Sequence, residues 1–215
     1  MALFFDGSFA GLGVWGYGIK PAGKPNKLFD NDVCGVSDYV ELSRFFVLDW
    51  TPPNTASKFL SFTHRKLKQH TDHKWLYTYA AGFQGLTGTI YQASNYDYIG
   101  REKCSAFTYI PGKGLIHDIS CWHRWSTSSL EKLQKIFSDA RRWHGYNFAY
   151  IYWLCSQEEK QRLMRHANFD IKSENPDKGD IRVWTEDVDG NKESVSIERA
   201  KQVPVIKLNS SRGQD

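Results

Sequence analysis

No Cys-x-x-Cys pair occurs in this sequence, no stretch approaches the ~20 consecutive apolar residues that a membrane helix needs, and no repeat or low-complexity tract interrupts it. The first absence argues against a zinc knuckle. The four cysteines, Cys34, Cys104, Cys121 and Cys155, stand far apart and read as reduced thiols of a cytosolic protein. The second argues against a transmembrane helix, and the opening Met-Ala-Leu-Phe-Phe-Asp has no basic segment of the kind a leader carries. Charge of one sign is also scarce. The 28 basic and 24 acidic side chains leave a net +4, which is compatible with a nucleic-acid partner without demanding one.

What the chain has instead is aromatic residues: 15% of 215, with eight Trp. Such rings supply buried area in a core, and exposed ones stack on bases. A hydrophobic content of 40% supports a core of one large domain, with room for a small appendage.

The pattern along the chain predicts alternating elements. Asp6-Gly7 is a hairpin turn between two strands within residues 3–19. Residues 20–38 read as loop and 39–48 as strand, broken at Pro52-Pro53. Ala56, Phe59, Leu60, Thr63 and Leu67 fall on one helical face, while His64, Arg65, Lys66, Lys68 and His70 crowd the other positions. Residues 75–80 form the next strand, 82–88 a loop, 89–95 a short helix and 96–99 a strand. Residues 106–110 and 115–122 read as a hairpin, 128–143 as an amphipathic helix and 148–154 as a strand. Ser156 and Glu159 form a capping box for the following helix. Residues 183–188 and 194–197 pair around Asp189-Gly190, and the chain from Asn209 reads as disordered.

A strand that turns into a helix leaves backbone N–H groups unpaired at the helix start, where an anion is favoured. Here Thr51, Asn54, Thr55 and Ser57 would add side-chain donors and Lys58 a charge. Spacing alone leaves this turn open between anion binding and simple capping.

The order of elements resembles the GNAT acyltransferase fold, and within it the divergent branch of the phage Mom proteins. Their pattern is Glu-Leu-x-Arg, Asn-x-x-Ser, Tyr-Ala-Asp, Gly-x-x-Gly-x-Ile-Tyr-Gln-Ala-x-Asn and Tyr-x-Gly. This sequence has Glu41, Leu42 and Arg44; Asn54 and Ser57; Tyr79 and Ala80; Gly85, Gly88, Ile90, Tyr91, Gln92, Ala93 and Asn95; Tyr98 and Gly100. Two departures stand out near the motifs: Pro52-Pro53-Asn54 replaces a glycine-rich turn, and Ala81 replaces the Asp of Tyr-Ala-Asp. The family's usual N-terminal stretch, with its His-Tyr pair, precedes the point where this chain starts.

The resemblance implies an α+β fold, with a GNAT-like mixed central sheet flanked by helices and a C-terminal extension containing further helices and a hairpin. Residues 1–171 would form the Mom-like domain and 172–215 the hairpin and tail. The implied activity is modification of adenine N6 in phage DNA to a carbamoylmethyl group, protecting it from host restriction, in the cytoplasm of the infected cell. Double-stranded or transiently opened DNA is the implied partner. Acetyl-CoA or another acyl or glycyl carrier is the implied donor.

The implied catalytic residues are Tyr91, Arg44 and Tyr79, with Tyr91 as general acid on the floor of an open cleft between splayed strands. Without the resemblance Tyr91 is better read as a core aromatic; Arg44 stands in an otherwise apolar strand, with an edge-strand arginine in water as the alternative. Alternation puts Glu41 on the face opposite Arg44 and with Ser43. Asn54, Thr55, Ser57 and Lys58 would hold the donor. Glu41, Ser43, Gln84, Thr87, Gln92 and Asn95 would meet the base, since amides match the adenine edge. Arg124, Arg141 and Arg142, with Trp122, Trp125, Trp143 and His144, would form a DNA-facing rim. His117, Asp118 and His123 are of types that suit iron, but ligands from one strand rarely converge, so no metal ligand is assigned. A GNAT acyltransferase acting on another amine, including a modified pyrimidine in phage DNA, and a catalytically degenerate DNA-binding module both stay open. Ala81 and the missing N-terminal stretch weigh toward the latter.

Overall fold

A computed structural model describes residues 1–18, 23–30 and 32–206. The fold is α+β, a mixed ten-stranded sheet flanked by helices. The elements in order are β1 (Ala2–Phe5), β2 (Ser8–Gly16), α1 (Gly23–Leu28), β3 (Tyr39–Val47), α2 (Thr55–His70), β4 (Trp75–Ala80) and α3 (Thr89–Gln92). Then come β5 (Asp97–Ile110), β6 (Gly114–His117), α4 (Asp118–Trp125), α5 (Leu130–Gln134), β7 (Arg141–Trp153) and α6 (Gln157–Met164). The chain ends with β8 (Trp184–Glu186), β9 (Lys192–Ser194), α7 (Ile197–Gln202) and β10 (Val205–Ile206). The strand order is β1-β2-β3-β4-β7-β5-β6-β10, with β8 added to β7 and β9 to β8.

Two compact units divide the chain. The first comprises Met1–Tyr79, Gly88–Gly100 and Ala149–Asn175, and the second Ala80–Thr87, Arg101–Phe148 and Pro176–Asp215. In the first, Phe29, Tyr39, Trp75, Tyr77, Ile151 and Leu163 are fully buried together, with Tyr39 stacked on Trp75 at 4.7 Å. α2 buries Phe59, Leu60, Thr63, His64 and Leu67, and ends where both the amide and the hydroxyl of Thr71 bond the Leu67 carbonyl. In the second unit, Ile110, Ile116, Cys121, Leu133 and Ala140 form a core, with Trp125 and Phe137 packed against it.

Several predicted elements change. The predicted loop 20–38 holds helix α1, drawn in by the buried Leu28. The predicted strand 115–122 stops at His117, whose Nδ1 accepts from the Ile119 amide and caps α4. The predicted helix 128–143 shrinks to α5. The Gln134 side chain donates to the Ala140 carbonyl, closing a turn, and β7 begins at Arg141 to bury Trp143 in the sheet. Residue 197 starts a helix, capped by Ser196, and is not strand. Position 209 lies outside the described residues.

Candidate functional site

β3 and β4 pair in parallel for three residues only: Tyr39 with Trp75, Val40 with Leu76 and Glu41 with Tyr77. Both strands run on, β3 to Val47 and β4 to Ala80. β3 carries the reason for their divergence. Trp15 of β2 pairs with Leu42 and Val14 with Arg44, so Ser43 is an extra residue in β3. Such a bulge bends its strand and increases the twist. The Ser43 hydroxyl donates to the Val14 carbonyl at 3.2 Å and pins it. Thr78 then bridges the opening, its Oγ1 donating to the Leu42 carbonyl at 3.0 Å.

Tyr91, on α3, lies close enough to the same hydroxyl to feel its dipole. Burial raises the phenol's pKa, against the opposing pull of Thr78, so Tyr91 is protonated at neutral pH. Its ring is 9% exposed, between Tyr96 at 5.3 Å and Tyr150 at 5.5 Å. The expectation of an open cleft floored by this ring is therefore corrected: neighbouring rings cover it.

The aromatic cluster continues through Tyr152 and Tyr98 to His64, which stacks on Tyr152 at 4.0 Å with Nε2 2.8 Å from Tyr96 Oη. Burial, then the charge of Lys68, lowers the pKa of His64 to about 4 and keeps the ring neutral. Burial pushes Tyr150 up to about 12, although its hydroxyl accepts from Gln92 Nε2 at 3.1 Å. Thr78, His64, Tyr150 and Tyr152 were not singled out from the sequence as site residues. His64 was findable, since it lies four residues from Leu60 and three from Leu67 on the buried side of α2.

The other predicted residues distribute as follows. Arg44 is exposed rather than held in an apolar strand. The Ser43 bulge shifts the alternation by one, so Arg44 follows the face of Glu41 instead of opposing it. Glu41 is half-buried, and Tyr79 is 41% exposed. In the turn before α2 the expected side-chain donors are already used. Thr51 donates to the Leu48 carbonyl, Thr55 to the Pro52 carbonyl and Ser57 to the Asn54 carbonyl. Asn54 adopts a left-handed backbone (φ 64°) and makes no side-chain cap, and Lys58 is exposed. Gln92 turns inward to Tyr150, which corrects its role as a base reader, while Asn95 is exposed at a φ of 61°.

Gln84, Thr87 and the arginines belong to the second unit. Gln84 and Thr87 are half-buried there. Arg142 pairs with Asp118 and donates to the Ser128 carbonyl, and Arg141 pairs with Glu193 at 3.0 Å. Trp143 is fully buried, its indole N–H donating to the Phe83 carbonyl, and His144 is buried against Trp184. The predicted rim is thereby corrected at these positions, because a sheet core and ion pairs occupy them. Trp122 is exposed, and Trp125 packs on Phe137. Arg124 is half-buried on α4. Among the described residues no three His, Cys, Asp or Glu side chains are grouped to hold a metal ion.

The fold and site define a mixed α+β protein with a parallel strand pair that opens at a side-chain bridge. Residues 1–170 match the Mom protein family, and the chain belongs to that family. A relative, the "Methylcarbamoylase mom" of Escherichia phage Mu, is 28% identical over 114 residues, covering 53% of this chain and 46% of the relative. The chain thus spans about half the length of the curated relative it matches. No described helix is long and apolar enough to cross a membrane.

Proposed function

We propose that the chain is a DNA-modifying transferase of the Mom type that adds a carbamoylmethyl-like group to adenine N6. One observation carries this reading: the β3–β4 ladder ends at Glu41 and Tyr77, where Thr78 bonds the Leu42 carbonyl beside the protonated Tyr91. Membership of the Mom family and the name of the phage Mu relative support it.

Adenine N6 is a poor nucleophile because its lone pair is delocalised into the ring. Its reaction needs an electrophile held close and protons moved at defined atoms. The base must also leave the stack to be reached. Acetyl-CoA, or another acyl or glycyl carrier, would supply an electrophilic carbonyl carbon. The N6–C bond would form as the acyl–carrier bond breaks, and the carrier would leave with the proton that Tyr91 gives. An N6-glycyl product would then have to isomerise to the carbamoylmethyl group. Beyond Glu41 the edge of β3 that faces β4 has no ladder partner in that strand, so its backbone groups suit an extended, amide-containing arm. The first-turn amides of Ala56 and Ser57 have no intrahelical acceptor and favour an anionic end. Tyr91 is the proton donor, and Thr78 is its positioning residue. Tyr79, Glu41 and Arg44 are the polar groups of these strands that meet the base.

A degenerate DNA-binding module is the second reading, favoured by Ala81 at the position of the pattern's carboxylate. One experiment separates the two. Plasmid DNA from cells expressing the chain is digested to nucleosides and analysed by mass spectrometry. A mass-shifted deoxyadenosine is expected. A shifted pyrimidine would move the target, and unmodified nucleosides throughout would overturn base modification.

A further inference from the structure

Several cations of this molecule are paired. Lys74 lies 2.9 Å from Asp38, Lys160 2.7 Å from Asp97, Arg162 2.8 Å from Glu159 and Arg141 3.0 Å from Glu193. Helix α2 differs. It carries Lys58, Arg65, Lys66 and Lys68 and not one Asp or Glu. Among the described residues none of the four has a carboxylate at ion-pair distance.

Helical geometry arranges these charges. At 100° per residue, Lys58, Phe62, Arg65 and Gln69 form one stripe with Lys68 beside it, opposite the buried side of Leu60, Thr63 and Leu67. Lys58, Arg65 and Lys68 are exposed, and Phe62 is 46% exposed with the Lys66 ammonium 5.7 Å from its ring centre. From Lys58 to Lys68 the stripe is about 15 Å long. A surface whose charges are all of one sign, without internal counterions, matches a partner that brings regularly spaced negative charge. Duplex DNA carries one charge per ~1.7 Å of its axis.

We infer that the outer face of α2 is the surface that docks the DNA phosphate backbone, with Lys58, Arg65 and Lys68 as the phosphate contacts. This rests on the reading that the chain acts on DNA. It assigns the electrostatic contact to α2 and not to Arg141 and Arg142, whose charges are already met.

The test measures binding of a labelled duplex by fluorescence anisotropy across a salt series. The variants are the triple K58Q/R65Q/K68Q and a control of equal charge change, K135Q/R141Q/K192Q, drawn from paired cations. Gln is close to Lys and Arg in helix propensity, and circular dichroism checks that both variants fold. Each lost phosphate contact lowers the slope of log affinity against log salt by about 0.9. The α2 triple is expected to lose about three units of slope and at least tenfold in low-salt affinity, and the control to lose far less. Equal effects of the two triples, with salt-dependent binding by the unaltered protein, would overturn the α2 assignment and leave DNA as the partner. Absence of duplex binding by the unaltered protein, or binding to phosphatidylserine vesicles in its place, would overturn the assignment together with the DNA reading.

Discussion

The hydroxyl of Thr78 donates to the carbonyl of Leu42 at 3.0 Å, just past the last paired residues of β3 and β4. A side chain thus takes over where the backbone ladder ends, and the same hydroxyl acts on the Tyr91 phenol, holding down a pKa that burial raises. Structure and proposed chemistry meet at one oxygen atom.

Replacing that oxygen separates the two. Thr78→Val keeps the branched shape, leaves the Leu42 carbonyl without the Thr78 donor and removes the dipole beside Tyr91. Stability is expected to fall by about 1–3 kcal/mol in urea unfolding, the usual range for a buried polar group left unpaired. Product formation is expected to fall as well. Thr78→Ser restores the hydroxyl and should recover most of both. Urea midpoints for Thr78→Val indistinguishable from those of the unaltered protein would show that the bridge does not hold the strands.

Tyr91→Phe removes one proton and one oxygen from a buried ring. The stability cost is expected to be about 1 kcal/mol, because one hydroxyl is lost and the ring contacts with Tyr96 and Tyr150 persist. Modified deoxyadenosine, quantified by mass spectrometry, is expected to drop by about tenfold or more, within the range for losing a general acid. Equal yields from the two proteins would remove Tyr91 as proton donor.

Strong local signals in the sequence led to correct elements. Asp6-Gly7 closes the β1–β2 hairpin, and the spacing of Phe59, Leu60, Thr63 and Leu67 defines α2. Ser156 caps α6 by accepting from the Glu159 amide, although Glu159 turns to Arg162 in place of completing the box. Where the sequence misled, long-range packing decided. Residues 118–125 are short and aromatic, compatible with either period, and the His117 cap on the Ile119 amide, with Cys121 packed in the core and Trp125 against it, goes with the helix. The face of Arg44 could not be read at all. It depends on the bulge at Ser43, a one-residue slip against β2 that no periodicity in β3 reveals. Thr78 resembles any threonine in an apolar strand until β3 and β4 part beside it.

His64 makes stability depend on pH. Its folded pKa of about 4 lies below the ordinary histidine value near ~6.5, so the unfolded chain binds the proton more readily. Stability therefore rises with pH between about 4 and 6.5, and the full contribution is present above that window. The expected change across it is about 3 kcal/mol, since one pKa unit is about 1.4 kcal/mol. Thermal melts at pH 7 and pH 4.5 should show a smaller gap in His64→Gln than in the unaltered protein. The same gap in both would mean that another group carries the acid sensitivity.

Arg141 and Arg142 are neighbours in sequence with different work to do. Arg142 is 18% exposed, pairs with a partly covered Asp118 and bonds the Ser128 carbonyl. Its loss strands a carboxylate and a carbonyl together. Arg142→Ala is expected to cost about 2–4 kcal/mol, toward the range for breaking a buried pair. Arg141 is 36% exposed beside a Glu193 that is 60% exposed, a surface pair worth at most about 1 kcal/mol. Arg141→Ala should therefore be nearly silent in unfolding. Neither change should alter the salt dependence of duplex binding by a full phosphate contact, because each guanidinium already has a carboxylate. A drop of about 0.9 in that slope for either variant would return these arginines to the DNA-facing role first read from the sequence.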